Sequence, residues 1–299
     1  MPDLAYRLRK PPWIRVKLAS GETYTRLKAL MRGKSLHTVC EEARCPNMAE
    51  CWGCGTATFL ILGDTCTRGC RFCAIQTGNP RGLVNRGEAG EVARAVSTMS
   101  LRHAVVTSVT RDDLEDGGAE IFAKTIGAIH ECVEGCTVEV LIPDLKGSRK
   151  SLEIVVNGRP EILGHNMETV ARLYPQVRPQ AIYNRSLHLL KTAKELDPSG
   201  LTKSGFMVGL GETLDELLEL MDDLRETGCD ILTVGQYLRP GREQLPVLRY
   251  YHPEEFKSIE EAGYERGFRW VESGPLVRSS YHADAQAREL RSRKGKSHG

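Results

Sequence analysis

The sequence predicts an α/β protein: a partial (β/α)6 TIM-type barrel, with one extension before it that is crowded with cysteines and another after it. Three observations predict this. From residue 56 onward, short apolar runs alternate with amphipathic stretches. The loops between them are short, which favours right-handed βαβ units and a parallel sheet. The 299 residues are enough for one barrel-sized domain.

The elements follow in order. Residues 1–40 read as an extended, proline-punctuated lead with one helical stretch at 24–32. Strands are expected at 56–62, 103–108, 137–141, 162–165, 205–209 and 231–236, and an apolar run at 268–271 offers a further one. Helical patterns fall at 88–100, 119–132, 148–157, 168–173, 186–196, 214–227 and 253–266. In the stretch 214–227, Leu214, Leu217, Leu218 and Met221 recur at i, i+3, i+4 and i+7, which makes one helix face. The polar, basic stretch from about Ala285 reads as a mobile tail. The resulting division is 1–55, an N-terminal extension, 56–270, the barrel, and 271–299, a C-terminal extension. No repeat of 20–50 residues is evident. In barrels of this type, active sites lie at the C-terminal ends of the strands.

Composition excludes several classes. Hydrophobic residues make up 40% and charged residues 27%, and the net charge is +2. No strong bias toward nucleic acid follows from that charge. No apolar run approaches the ~20 residues that span a bilayer. The expectation is a soluble, cytoplasmic protein, since Pro2, Asp3, Pro11 and Pro12 interrupt any signal or transit segment. Arg7, Arg9, Lys10, Arg15 and Lys17 load the N-terminus with charge. They suit an acidic partner and suit a solvated tail equally well.

Ten cysteines are many for a protein in a reducing compartment, and seven of them fall between Cys40 and Cys73. Cys66, Cys70 and Cys73 are spaced C-x3-C-x2-C, directly after the first expected strand. Three thiolates on one loop can wrap a cubane iron–sulfur cluster and leave its fourth iron open to a small molecule. Phe72 gives the loop an aromatic side for a bound cofactor. A zinc loop is the plainer alternative, but zinc asks for four ligands, and Cys54 and His103 do not stand at zinc-site spacing. Cys40, Cys45 and Cys51, spaced C-x4-C-x5-C, form a second triplet that reads as a second cluster. Cys132, Cys136 and Cys229 read as buried thiols, and Cys54 lies between the triplets.

The first triplet resembles the hallmark of the radical S-adenosylmethionine (SAM) superfamily. The two triplets together are similar to the lipoyl synthase family, with Cys51-Trp52 leading into Gly55-Thr56-Ala57-Thr58-Phe59. Further stretches agree: Val109–Leu114 with Asp116–Ala119, Glu139–Asp144, His165–Val170, Lys203–Glu212, Gly235–Leu238 and Val277–His282. The resemblance covers residues 11–284.

It implies a sulfurtransferase that uses two [4Fe–4S] clusters and S-adenosyl-L-methionine to insert sulfur at C6 and C8 of protein-bound octanoyl groups. A deoxyadenosyl radical would remove a hydrogen atom from each carbon, and the auxiliary cluster would give up its sulfur. An unactivated C–H bond offers acid–base chemistry nothing to work on, so a cofactor must carry such chemistry. Cys66, Cys70 and Cys73 would hold the cluster that acts on SAM. Cys40, Cys45 and Cys51 would hold the auxiliary cluster, with Ser280 as fourth ligand and Ser279 as the alternative. Gly117 and Gly118 would let backbone approach the methionine part of the cofactor, although an ordinary turn explains them too. Asn166 and Glu168 would bind ribose or cap a helix. Gly209, Gly211 and Glu212 would border adenine or ribose, and Asp112 and Asp113 read as a solvated turn. The implied partners are octanoylated carrier domains (dehydrogenase E2 subunits and the glycine-cleavage H protein), an electron donor such as ferredoxin or flavodoxin, and an iron–sulfur carrier that repairs the cluster. The competing readings are a biotin-synthase-like enzyme, an iron–sulfur scaffold or electron carrier without catalysis, and a zinc-binding interaction module.

Overall fold

A computed structural model describes residues 9–14, 37–38, 47 and 57–296. Cys40, Cys45, Cys51 and Cys54, and the helix expected at 24–32, lie outside the described residues.

Seven parallel strands pair in chain order: β2 (Thr58–Ile61), β5 (His103–Ser108), β6 (Thr137–Leu141), β7 (Ile162–Gly164), β8 (Leu201–Val208), β9 (Ile231–Gln236) and β10 (Trp270–Gly274). The seventh, foreseen only as an apolar run, completes the set. β1 (His37–Thr38) adds antiparallel to β2, with His37 opposite Leu60 and Thr38 opposite Phe59. Two further two-residue strands, β3 (Thr65–Cys66) and β4 (Gln76–Thr77), pair apart from this sheet. Among the described strands, β10 does not pair with β2, so the barrel is open, as a partial barrel requires.

The sheet nevertheless curls around a lumen. Thr58 and Leu60, Val105 and Thr107, Gly205 and Met207, and Thr233 and Gly235 alternate along their strands and face one common cavity. Buried residues in between face outward to the helices, so most of these strands are covered on both sides, as parallel sheets are.

The helices between strands are α1 (Glu88–Thr98), α2 (Ala119–Cys132), α3 (Arg149–Asn157), α4 (Tyr174–Val177), α5 (Tyr183–Leu196), α6 (Leu214–Glu226) and α7 (Pro253–Glu265), followed by α8 (Ala283–Lys296). α6 opens on a capping box in which Thr213 and Glu216 bond each other's backbone N–H groups, at 3.3 and 2.8 Å. Its buried face is Leu217, Leu220, Met221 and Leu224, so the apolar stripe begins three residues later than expected. Leu214, in the first turn, is exposed.

Three expectations are corrected. Cys132, expected as a buried thiol like Cys136 and Cys229, is exposed at the end of α2. At 168–173 there is no single helix: Glu168 sits at φ +67° and bridges Phe206 of β8, and the first helical turn starts at Ala171. The segment from Ala285, expected as a mobile tail, belongs to α8. There Ala283, Ala287 and Leu290 are buried, the latter two in a cluster with Ile162, Leu201 and Ile231. α8 thereby closes the N-terminal floor of the barrel, beneath the starts of β7, β8 and β9.

Candidate functional site

Cys66 ends β3, and Gly78 N returns to Cys66 O at 2.9 Å, so residues 67–77 form a closed loop. Three neighbouring segments, two loops and the end of α4, hold it at the C-terminal rim. Thr67 N donates to Thr110 O, Arg71 N to Val177 O, and Leu245 N to Arg71 O, each at 2.9 Å. Gly69 N donates to Gln180 Oε1 at 2.7 Å, and Gln244 Nε2 to Cys73 O at 3.1 Å.

The strongest anchor is Arg68, between the first two cysteines. Its guanidinium donates to Asp112 Oδ2 (2.6 Å) and Oδ1 (2.9 Å) and to Asp144 Oδ2 (2.9 Å) and Oδ1 (2.7 Å). Paired, planar contacts of this kind fix orientation as well as charge. Burial pushes the Asp144 carboxyl up, but Arg68 outweighs it and holds the group at about 2. Asp112, expected as a solvated turn residue, is thus a structural partner of the cysteine loop. Arg111, buried beside it, bonds Asp113 and the carbonyls of Leu62 and Leu83.

Cys66, Cys70 and Cys73 open into one cavity of about 650 Å³ that continues into the lumen. Two of the thiols already meet backbone donors: Arg68 N lies 3.4 Å from Cys66 Sγ, and Ile75 N 3.5 Å from Cys73 Sγ. Burial pushes the Cys73 thiol up to about 11 and raises Cys70, where Arg178 opposes the rise. Metal binding must therefore displace protons here, and the N–H groups and Arg178 stabilise the thiolates that result. Among the described residues, no three His, Cys, Asp or Glu side chains converge on a single ion. A cubane asks for no such convergence, because it offers each thiolate its own iron. The donor set, its N–H contacts and the cavity fit such a cluster with room for a cofactor beside it.

Phe72, Asn166, Glu168, Ser279 and Ser280 line the same cavity. Asn166 Nδ2 donates both to Glu168 Oε1 (3.0 Å) and to Ser279 Oγ (2.7 Å). The Ser280 hydroxyl is not so engaged among the described residues. Burial raises the Glu168 carboxyl, while Arg178 and Asn166 pull against that rise. Arg178 Nη1 donates to the carbonyls of Asn166 and Met167, at 2.9 and 3.1 Å, so it ties the ends of β7 and α4 to the Cys70 side of the cavity.

The structure does not bring every expected residue here. Gly117 and Gly118 are not among the cavity-lining residues; they form the turn into α2, at φ +63° and +93°. A Cβ on Gly118 would stand 2.2 Å from Leu62 Cδ1. Gly209 and Gly211 likewise pack elsewhere, and Glu212 accepts from the N–H groups of Gly209 and Leu210 at 2.6 and 2.9 Å. Arg68, Asp144 and Arg178 were missed. Arg68 had one signal, a lone cation inside the cysteine triplet. The other two had none: Asp144 meets Arg68 across 76 residues, and Arg178 stands in no recognisable pattern although its partners Asn166 and Met167 lie only 12 and 11 residues back.

Comparison with known proteins gives a consistent picture. Residues 60–224 match the family model of the Radical SAM superfamily, and residues 3–45 match that of the N-terminal domain of lipoyl synthase of the radical SAM family. The chain is 58% identical to lipoyl synthase of Rubrobacter xylanophilus, over 94% of this chain and 88% of that protein. It is 55% identical to lipoyl synthase of Shouchella clausii, over 94% and 91%. Among solved structures it resembles methylornithine synthase in fold, with a TM-score of 0.57 at 14% identity over 84% of this chain and 75% of that one.

Proposed function

The chain belongs to the lipoyl synthase family of the radical SAM superfamily, and from that premise we propose which of its residues perform each part of the reaction. The reaction is insertion of two sulfur atoms, at C6 and C8, into an octanoyl group bound to a carrier domain, and it uses S-adenosyl-L-methionine and two [4Fe–4S] clusters. When bound, the cluster of the C-x3-C-x2-C loop supplies the electron that cleaves SAM, and the auxiliary cluster supplies the sulfur.

Cys66, Cys70 and Cys73 hold the first cluster on a loop that Arg68 locks in place. Asn166 and Glu168 orient the ribose of SAM, and Phe72 borders it. The lumen receives the octanoyl chain against Leu60, Val105, Leu141 and Met207. A largely apolar wall limits the water around a reactive carbon centre. Cys40, Cys45 and Cys51 hold the auxiliary cluster, and Ser280 completes its ligands. Two contacts support that arrangement. Thr38, two residues before Cys40, pairs with Phe59 of β2, and Asn47 Nδ2 donates to Leu276 O, four residues before Ser280, at 2.5 Å. Ser280 is preferred over Ser279 because Asn166 already engages the Ser279 hydroxyl.

One observation carries the reading: the three thiols and Ser280 open into a single lumen. The finer assignments extend it. They are a residue division of 1–55, 56–270 and 271–299, E2 and H-protein carriers, a ferredoxin or flavodoxin donor, an iron–sulfur repair carrier, and a cytoplasmic location. Among the described residues, no helix is long and apolar enough to cross a membrane.

The test is anaerobic reconstitution with iron and sulfide, followed by assay on an octanoyl-lysine peptide. About eight irons per chain are expected on the two-cubane reading, with release of 5′-deoxyadenosine and a product mass gain of two sulfurs. Cys45→Ala keeps deoxyadenosine release and loses sulfur gain, whereas Cys70→Ala loses both. Loss of sulfur gain without loss of deoxyadenosine in Cys70→Ala would overturn the assignment of that loop.

A further inference from the structure

The floor of the barrel holds a buried charged group that the assignments above do not use. Lys203 on β8 and Glu139 on β6 are each 2% exposed in their side chains. Lys203 Nζ donates to Glu139 Oε1 and Oε2, at 2.9 and 3.2 Å. A third Lys203 contact goes to Gln286 Oε1 of α8, at 2.8 Å. A buried ion pair is a poor way to stabilise a floor that apolar side chains would fill as well; its best-attested use is to fix one arrangement among several.

The arrangement fixed here is that of Gln286, which is fully buried. A lysine is a donor only, so it holds the amide oxygen of Gln286 toward itself and turns the amide nitrogen the other way. That nitrogen donates to Tyr281 O at 3.0 Å, the carbonyl directly after Ser280. On the other side of Ser280, Asn166 holds the Ser279 hydroxyl at 2.7 Å. Ser280 therefore stands between two clamps, one rooted at the end of β7 and the other in the strands of the floor.

We infer that Gln286, oriented by Lys203 and Glu139, is a positioning residue that holds the Ser280 oxygen at the auxiliary cluster. The inference rests on the reading of Ser280 as the fourth ligand. An alkoxide or hydroxyl oxygen is a weak ligand for iron beside thiolate, so its hold depends on how firmly the backbone presents it. A firmly held backbone would keep the Ser280 oxygen at the ligand position.

The experiment uses the full-length chain with Cys66, Cys70 and Cys73 all replaced by alanine, so that its iron sits at the auxiliary site alone. The rate of iron loss to a chelator is measured for this parent and for Gln286→Met, Ser280→Ala and the double variant. Separately, in the otherwise unaltered chain, sulfur inserted per deoxyadenosine released is measured for the same substitutions. Gln286→Met is expected to speed iron loss about tenfold, the effect of losing one well-placed hydrogen bond. It is also expected to lower sulfur per deoxyadenosine while deoxyadenosine release persists. In the Ser280→Ala background it adds nothing, since the two side chains act on one bond.

Iron loss at the parent rate in Gln286→Met, or effects that multiply in the double variant, would overturn the inference. If Ser280→Ala itself leaves iron loss unchanged, the ligand assignment fails, and the inference with it. Should Gln286→Met not fold, the pair Lys203→Met with Glu139→Leu decides. It removes the anchor and leaves Gln286 in place, and it must speed iron loss in the same direction for the inference to stand.

Discussion

Replacing Arg68 by methionine removes the four hydrogen bonds that its guanidinium makes to Asp112 and Asp144, and leaves the one from Asp112 N to Thr67 Oγ1. The side chain of Asp144 has no exposure, and that of Asp112 is 30% exposed. Breaking a buried pair from one side costs about 3–5 kcal/mol, because the remaining charge is left without its partner. Asp144 keeps Lys146 N at 3.1 Å and Arg185 Nη1 at 3.4 Å, which places the cost near the lower end, about 3 kcal/mol. Asp112 retains water and adds under about 1 kcal/mol. The assay is urea denaturation of the apo chain across pH. Because Arg68 holds Asp144 at about 2, below the ordinary ~3.9, the pair stabilises the native chain above about pH 4. That stabilisation is lost as pH falls toward 2. In Arg68→Met the burial of Asp144 is offset less, so its pKa rises. The deficit against the parent is therefore largest near neutrality and shrinks in acid. Adding Asp144→Asn removes the stranded charge and recovers most of the loss. Equal denaturation midpoints for parent and Arg68→Met near neutrality would refute this reasoning, as would a double variant no more stable than the single one.

Three further outcomes follow from the geometry. Gly118→Ala forces a side chain into φ +93° with Leu62 Cδ1 only 2.2 Å away, and a thermal melt should show a loss of about 1–3 kcal/mol. Lys203→Met leaves the buried Glu139 facing His103 Nε2 at 3.6 Å and is expected to cost about 3 kcal/mol in the same assay, while Lys203→Met with Glu139→Leu restores most of it. Asn166→Ala loses its bonds to Glu168 and Ser279. Calorimetric titration of the reconstituted chain should show SAM binding weakened about tenfold with little change in melting temperature.

The strands were legible because a parallel sheet buried on both faces writes itself as short runs dominated by apolar and β-branched residues. β5, β6 and β9 carry the expected bounds. β8 was read four residues short because it opens with Leu201-Thr202-Lys203-Ser204. There Lys203 points inward to a partner 64 residues away, and no local pattern marks a buried charge as paired. The cysteine loop was legible because its spacing is local. Its anchors were not, since Arg68 reaches 44 and 76 residues along the chain. The segment at 168–173 looked helical by composition, yet the backbone at Glu168 takes a left-handed turn to reach Phe206, which only the neighbouring strand dictates. In α8 the apolar positions Ala283, Ala287 and Leu290 keep helical spacing, but its arginines and lysines outweigh them in any count of composition.

α8 lies after all seven parallel strands in the chain, and so leaves the ribosome after them. A nascent chain can assemble its sheet and the Cys66–Cys73 loop while the underside of the barrel is still uncovered. Arrival of Leu290 and Gln286 then seals that underside and sets Ser280 in the same movement. A chain cut short before Ala283 would keep its loop for the first cluster and leave its interior open to solvent from below. Proteases and oxygen would reach it by that route.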